Sequence, residues 1–152
     1  MNIRHATAAD LDILNQIEQE CFPPAEAACE ESFAERLKYY PEHFWLLEED
    51  GKLISFINGF VTNERTIRDE MFDDPTMHND KGAWQMIFGV NTILSRRKQG
   101  CAGMVLERVV ADARASVQDE AYRLFLHHAA VGHVLLAFHV KKEIDSVYLS
   151  IH

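Results

Sequence analysis

Positive charge is scarce in this chain. Lysine and arginine number 15 against 24 aspartates and glutamates, a net charge of −9 with histidine neutral. Nucleic acid is thereby excluded as the main partner, because holding a phosphate backbone needs a basic surface. Cysteine is scarce too: Cys21, Cys29 and Cys101 are the full set. Their odd number and lack of metal-ligand spacing exclude a disulfide framework and fit reduced thiols in a cytosol. No apolar run approaches the roughly 18 residues of a membrane span. The opening Met1-Asn2-Ile3-Arg4-His5 lacks the apolar stretch of a signal peptide. The expectation is a cytoplasmic protein without membrane contact.

A length of 152 residues, 47% of them hydrophobic and 26% charged, suits one globular domain with a real core. The elements can be read in order. Asn2 to Ala6 is a short strand. Thr7-Ala8-Ala9-Asp10 resembles a capping box with Asp in place of Glu. Leu11, Leu14, Ile17 and Cys21 then recur at helical spacing, and Phe22-Pro23-Pro24 stops the helix. A second helix spans Ala28 to Tyr39, with Phe33, Leu37 and Tyr40 on one face. Strands follow at Phe44 to Glu48 and Lys52 to Thr62, joined by Asp50-Gly51, a strong hairpin signal. Residues 63–83 read as a long polar connection with one short helix near Thr66 to Phe72. Long connections are often functional or a tolerated surface insertion.

The stretch from Trp84 to Ala115 organises the rest. Trp84 to Ile93 is rich in β-branched and aromatic residues and reads as a strand. Val105, Leu106, Val109, Val110 and Ala113 share one helical face. Between them lie Arg96-Arg97-Lys98-Gln99-Gly100-Cys101-Ala102-Gly103. A basic, glycine-bearing turn that opens a helix offers backbone N–H groups and the helix dipole to an anion. In an acidic protein, a small anionic ligand accounts for such a local basic cluster. An acidic body could also draw in a cationic amine.

The spacing Arg97-x-x-Gly100-x-Ala102, after a strand and before a helix, resembles the acetyl-coenzyme A motif of the GNAT superfamily of N-acetyltransferases. The order strand, helix, helix, strand, strand, loop, strand, helix matches that family's fold. The likeness is drawn toward the arylalkylamine branch by Ile17 to Phe22, by Phe44 to Gly59 and by Gly89 to Gly103. The resemblance implies an α/β (α+β) fold, a mixed and mostly antiparallel sheet flanked by helices. It implies acetyl-CoA as co-substrate, no metal, and a small-molecule primary amine as acceptor. Asn91, Thr92 and Ile93 would pair with the pantetheine arm. Arg97, Lys98, Gln99, Gly100, Cys101, Ala102 and Gly103 would wrap the pyrophosphate.

The catalytic residues stay unassigned. The arylalkylamine enzymes carry two histidines on the central strand, and the corresponding positions here are Met86 and Phe88. His43, His78, His127, His128, His133 and His139 show no catalytic spacing and read as surface or packing residues. After Ala115 the resemblance stops. The family's Tyr that protonates the leaving thiolate has no counterpart in context, since only Tyr122 and Tyr148 remain, and the expected Gly-Phe pair is missing. Val131 to Val140 reads as a strand or a buried helix, and Val147 to Ile151 as a further candidate strand. Residues 116–152 are either a divergent folded ending or the product of a shifted reading frame. The alternative to an active enzyme is an impaired acyl-CoA-binding module or a nonfunctional remnant. A homodimer is left open.

Overall fold

The computed structural model describes residues 1–116 and the strands at 122–128 and 134–140. The elements are β1 (Asn2–His5), α1 (Leu11–Cys21), α2 (Glu30–Tyr39), β2 (Phe44–Glu49), β3 (Lys52–Thr62), α3 (Glu70–Asp73), β4 (Trp84–Thr92), α4 (Cys101–Ser116), β5 (Tyr122–His128) and β6 (Val134–Val140). The strands form one sheet in sequence order. All neighbours are antiparallel except β4 and β5, which run parallel. The mixed, mostly antiparallel α+β architecture is the expected one. Of the two readings open for Val131 to Val140, strand or buried helix, Val134 to Val140 forms the strand β6. Val147 to Ile151 lies outside the described residues.

Local signals decide most boundaries. Asp50 and Gly51 have φ of 51° and 74°, the paired positive values of a type I′ hairpin turn. Asp10 accepts the Thr7 backbone N–H at 2.7 Å and so closes the entry to α1. α4 begins at Cys101, earlier than the apolar periodicity that starts with Val105. Gly100, at φ 80°, makes the turn. Of the residues behind it, Cys101 is buried in the core, while Ala102, Gly103 and Met104 carry no buried side chain to mark the first helical turn.

Two apolar layers sandwich the sheet. Leu14 and Ile17 of α1 and Phe33 and Leu37 of α2 pack on one face against Phe44, Leu46, Phe56 and Phe60. Val105 and Val109 of α4 pack on the other against Trp45, Leu47, Ile57 and Ile87. Leu53 through Thr62 is buried along its whole length, because β3 is covered from both sides.

The ladder between β3 and β4 is broken by a bulge, where Asn58 pairs with Gly89 and Gly59 with Ile87. Phe88 is the extra residue. It resets the alternation, so Phe88 and Asn91 both face the α1–α2 layer. Gly59 permits the close approach opposite: a Cβ there would lie 1.8 Å from the Met86 carbonyl oxygen. The parallel ladder between β4 and β5 covers only Trp84 to Ile87. Past the bulge, the outer edge of β4 is therefore unpaired among the described residues.

Candidate active site

The open edge of β4 has a defined polarity. The Ile93 N–H donates to the Ile54 carbonyl at 3.0 Å, so the alternating backbone groups of Asn91 and Ile93 turn toward β3. Those of Val90 and Thr92 turn outward. Of the three residues expected to present backbone to a pantetheine arm, Thr92 is the one on the open edge. Its carbonyl accepts from the Cys21 thiol at 3.4 Å and from Arg97 Nε at 3.2 Å. The Asn91 carbonyl instead receives Ser55 Oγ at 2.6 Å.

β4 leads into the basic turn. Lys98 and Gly100 both have positive φ, 60° and 80°, a curl that aims successive backbone N–H groups into one concavity. The first backbone bond of α4 runs from the Met104 N–H to the Gly100 carbonyl at 3.0 Å. The N–H groups of Cys101, Ala102 and Gly103 consequently have no acceptor within the helix. Beside them is a cavity of about 550 Å³ lined by Thr92, Arg97, Lys98, Gly100 and Ala102, with Cys21 and Phe22 opposite. A Cβ built on Gly100 or Gly103 meets nothing within 4 Å, so both glycines border open space.

The three basic residues of the turn are not equivalent. Arg96 is held by Glu49 and by Gln99, and its hydrogen bond, helped by its charge, lowers the Glu49 carboxyl below its usual value. Gln99 is engaged in return, donating to the Ser95 carbonyl. Arg97 and Lys98 make no ion pair among the described residues and are exposed at the cavity. Two cations without an ion pair among the described residues, three N–H groups without a helical acceptor and a helix N-terminus make a candidate anion site.

A second cavity, of about 340 Å³, opens on the α1–α2 side and shares Phe22 with the first. Its wall includes Glu18, Arg36, Asn58, Phe88 and Gly89. Glu18 is 7% exposed. Its carboxylate accepts the Ala28 N–H at 3.0 Å and the Asn91 side-chain amide at 2.7 Å. Burial pushes its carboxyl above the ordinary value, opposed by those two hydrogen bonds and by the charge of Arg36. A buried carboxylate with a raised pKa beside a cleft is a candidate general base. Glu18 lies within Ile17 to Phe22, a stretch that carries the family likeness without a role for this residue. A charged residue on the apolar face of α1 was the available signal.

The positions that hold histidines in the arylalkylamine enzymes carry Met86 and Phe88, and both are packed. Met86 is fully buried, and Phe88 lies against Phe60, Phe72 and Arg36. His43 and His78, far apart in sequence, meet with ring centroids 5.0 Å apart. With Glu42 and Asp80 they form a cluster whose ligand-type atoms lie within 4.8 Å of one another. The cluster is already committed: His43 Nδ1 bonds Gln85 Oε1, and His78 accepts the Val61 N–H through Nδ1 while its Nε2 faces Asp80. None of the four lines either cavity. Tyr122, His127, His128 and His139 fall on β5 and β6, while His133 and Tyr148 lie outside the described residues.

A strand with an open edge that feeds a helix N-terminus between two cavities is the geometry of a mixed α+β fold with a candidate anion site. The chain belongs to the acetyltransferase (GNAT) family, whose sequence pattern matches residues 11–142. That match runs past Ala115, where the sequence-based likeness stops, and across β5 and β6. Among solved structures, the chain is similar to the GNAT-like decarboxylase GphF in complex with isobutyryl-CoA, at 24% identity, with 82% of this chain and 65% of that one covered and a TM-score of 0.72. It is similar to the loading GNATL domain of CurA from Lyngbya majuscula, at 20% identity, 82% and 63% coverage and a TM-score of 0.72. It is also similar to diaminobutyrate acetyltransferase EctA from Paenibacillus lautus, solved with L-2,4-diaminobutyric acid and coenzyme A, at 14% identity, 83% and 65% coverage and a TM-score of 0.57. The chain thus spans just under two thirds of the length of these structures. No curated protein sequence matches it. These likenesses establish the fold and do not single out the arylalkylamine branch. Among the described residues, no helix is long and apolar enough to cross a membrane.

Proposed function

We propose that this chain transfers an acetyl group from acetyl-CoA to a primary amine of a small molecule. The observation that carries the reading is the open edge of β4 running straight into the Lys98–Gly100 curl and the free N–H groups of α4. The outward backbone of Val90 and Thr92 pairs with the pantetheine arm. Arg97, Lys98 and the N–H groups of Cys101 to Gly103 hold the diphosphate. The thioester then falls near Phe22, where the two cavities meet.

Glu18 takes a proton from the acceptor ammonium, directly or through water, so that a neutral amine attacks the thioester carbonyl. A carbon–nitrogen bond forms, the carbonyl becomes an oxyanion, and the Val90 N–H on the open edge donates to it. The carbon–sulfur bond then breaks, the new amide nitrogen gives up its extra proton, and the leaving CoA thiolate takes one up. Calorimetry with CoA and acetyl-CoA tests the binding half. Chromatographic detection of CoA released by a panel of primary amines tests the chemistry. Glu18→Gln should lower kcat by roughly 10²–10⁴-fold, the worth of a general base, while CoA affinity stays near the parent value.

A second reading is loss of carbon dioxide from a carboxyacyl-CoA. It is favoured by the TM-scores of 0.72 to the decarboxylase GphF and to the CurA domain, against 0.57 to the diaminobutyrate enzyme. Carbon dioxide released from malonyl-CoA without any amine supports it. Tight CoA binding with neither activity supports the impaired module.

A further inference from the structure

Arg36 is the least expected residue in the fold. It projects from α2, which otherwise turns apolar side chains inward, and it is 4% exposed. A guanidinium carries five N–H donors and remains charged at any pH the protein experiences. Burying it costs several kcal/mol unless an anion and hydrogen bonds compensate. The compensation within the protein is incomplete. Nη1 donates to Asn58 Oδ1 at 3.1 Å and Nη2 to the Phe72 carbonyl at 2.8 Å. Nε has no hydrogen-bond partner. No carboxylate forms an ion pair with Arg36 among the described residues. Glu18 feels its charge without forming an ion pair with it, and each Glu18 oxygen accepts one hydrogen bond, from Ala28 and from Asn91, and keeps room for another.

The group is also held in a fixed orientation. Its guanidinium carbon lies 5.5 Å from the Phe33 ring centroid and 5.2 Å from that of Phe88. Stacking between aromatic rings keeps an arginine planar and in place. Asn58 and Phe88 belong to the bulge that splays β4, so the same irregularity sets the arginine and the opening of the strand. Arg36 lines the second cavity together with Glu18. A buried cation with unspent donors therefore faces the same small space as a buried carboxylate. A second unsatisfied group is on the same strand: Asn91 Oδ1 is buried without a partner, 3.2 Å from where a Cβ on Gly89 would lie.

We infer that Arg36 is a carboxylate-binding residue of this cavity, and that the amine acceptor is an amino acid whose carboxylate it takes while the amino group sits toward Glu18. The inference rests on the acyl-transfer reading given above, and it adds the substrate's charge pattern. The geometry is complementary at both ends of a zwitterion. The carboxylate receives guanidinium donors in a desolvated site, where a charge-assisted bond is strongest. The ammonium meets the carboxylate that deprotonates it. A plain amine satisfies one end only and leaves the buried arginine uncompensated, which is how a polar site rejects a ligand lacking the matching group.

The shared chemistry is a carboxylate beside the thioester, and it has two sources: the acceptor, or the acyl group of a dicarboxylic acyl-CoA. The test uses matched acceptors on the parent protein, L-serine against ethanolamine and L-phenylalanine against phenethylamine. Binding is measured by calorimetry with and without saturating CoA, and kcat/KM is measured with acetyl-CoA. The expected result is that at least one acid exceeds its decarboxylated partner by roughly ten- to a hundredfold, the worth of one charged hydrogen bond. Arg36→Gln should erase that ratio, and Arg36→Lys should restore part of it, since the charge remains and the planar fork is lost. Circular dichroism and the affinity for CoA, whose proposed cavity Arg36 does not line, report whether each variant folds.

Acids and amines that bind and react alike in the parent protein overturn the inference and leave acyl transfer standing. Failure of every acid to bind, with or without CoA, also overturns it. An Arg36-dependent preference for malonyl-CoA over acetyl-CoA, with no discrimination between acids and amines, overturns the acceptor assignment by placing the carboxylate on the acyl donor. Absence of CoA binding and of CoA release removes acyl transfer instead, while the ratio of acid to amine binding still decides the carboxylate site.

Discussion

Gly100 and Gly51 form a matched pair that separates folding from ligand binding. Both have positive φ, 80° and 74°, and at both a Cβ would meet nothing within 4 Å. An alanine at either position pays only for holding an L-residue in the left-handed region, about 1–2 kcal/mol. Gly51 sits at the tip of the β2–β3 hairpin and lines neither cavity. Gly100 borders the one assigned to the diphosphate. The empty space above its Cα is the space a phosphate must enter to reach the N–H groups of Cys101 to Gly103. Gly100→Ala and Gly51→Ala should lower the urea unfolding midpoint by similar amounts. They should part company in CoA titrations. Losing one charge-assisted hydrogen bond is worth about 1.5–3 kcal/mol, so Gly100→Ala should weaken CoA binding by roughly ten- to a hundredfold, and Gly51→Ala should leave it unchanged. Gly100→Val, with a branched side chain, should be worse still. Calorimetric affinities that agree between the two alanine variants would refute the placement of the diphosphate at this turn.

His43 should tie stability to pH. Burial, and then the charge of His78, lower its pKa to about 4, so the folded protein keeps the ring neutral while the unfolded chain protonates it near 6.5. Its contribution is complete above about pH 6.5 and is lost as pH falls toward 4; the gap is worth about 3 kcal/mol. Denaturation midpoints measured across that window should fall steeply for the parent and less steeply for His43→Asn. Gly59→Ala drives a Cβ against the Met86 carbonyl oxygen, a backbone atom that cannot rotate away. It should cost at or above the roughly 1–3 kcal/mol of ordinary overpacking, and an unchanged melting temperature would show that the bulge opens freely. Amides of Val134 to Val140 should exchange with deuterium faster than those of Trp84 to Ile87. Among the described residues β6 ends the sheet, whereas this part of β4 is paired on both sides, by β3 and β5, and equal protection would show a C-terminal part as firmly integrated as the centre.

The sequence alone determined the features whose cause is local. Asp50-Gly51 names its own turn, because few residue pairs accept two positive φ values. Leu14 and Ile17 of α1, Phe33 and Leu37 of α2, and Val105 and Val109 of α4 mark their buried faces by spacing alone. The basic turn before α4 was legible as an anion site for the same reason: glycine, cation and helix start are neighbours in the chain. The tertiary structure decided what neighbours could not. It divided the basic residues, tying Arg96 to Glu49, which is 47 positions away, and leaving Arg97 and Lys98 free. It turned Thr92 outward and Ile93 inward, because the bulge at Phe88 sets which backbone groups β3 consumes. It brought His43 to His78 and buried Glu18 against Asn91, 73 positions apart. Above all it placed Arg36 between Phe33 and Phe88. In sequence, Arg36 is an ordinary charge within an acidic helix. Its meaning comes from burial without a matching anion, and burial belongs to the packed sheet and helices, where each residue's surroundings are supplied by segments far along the chain.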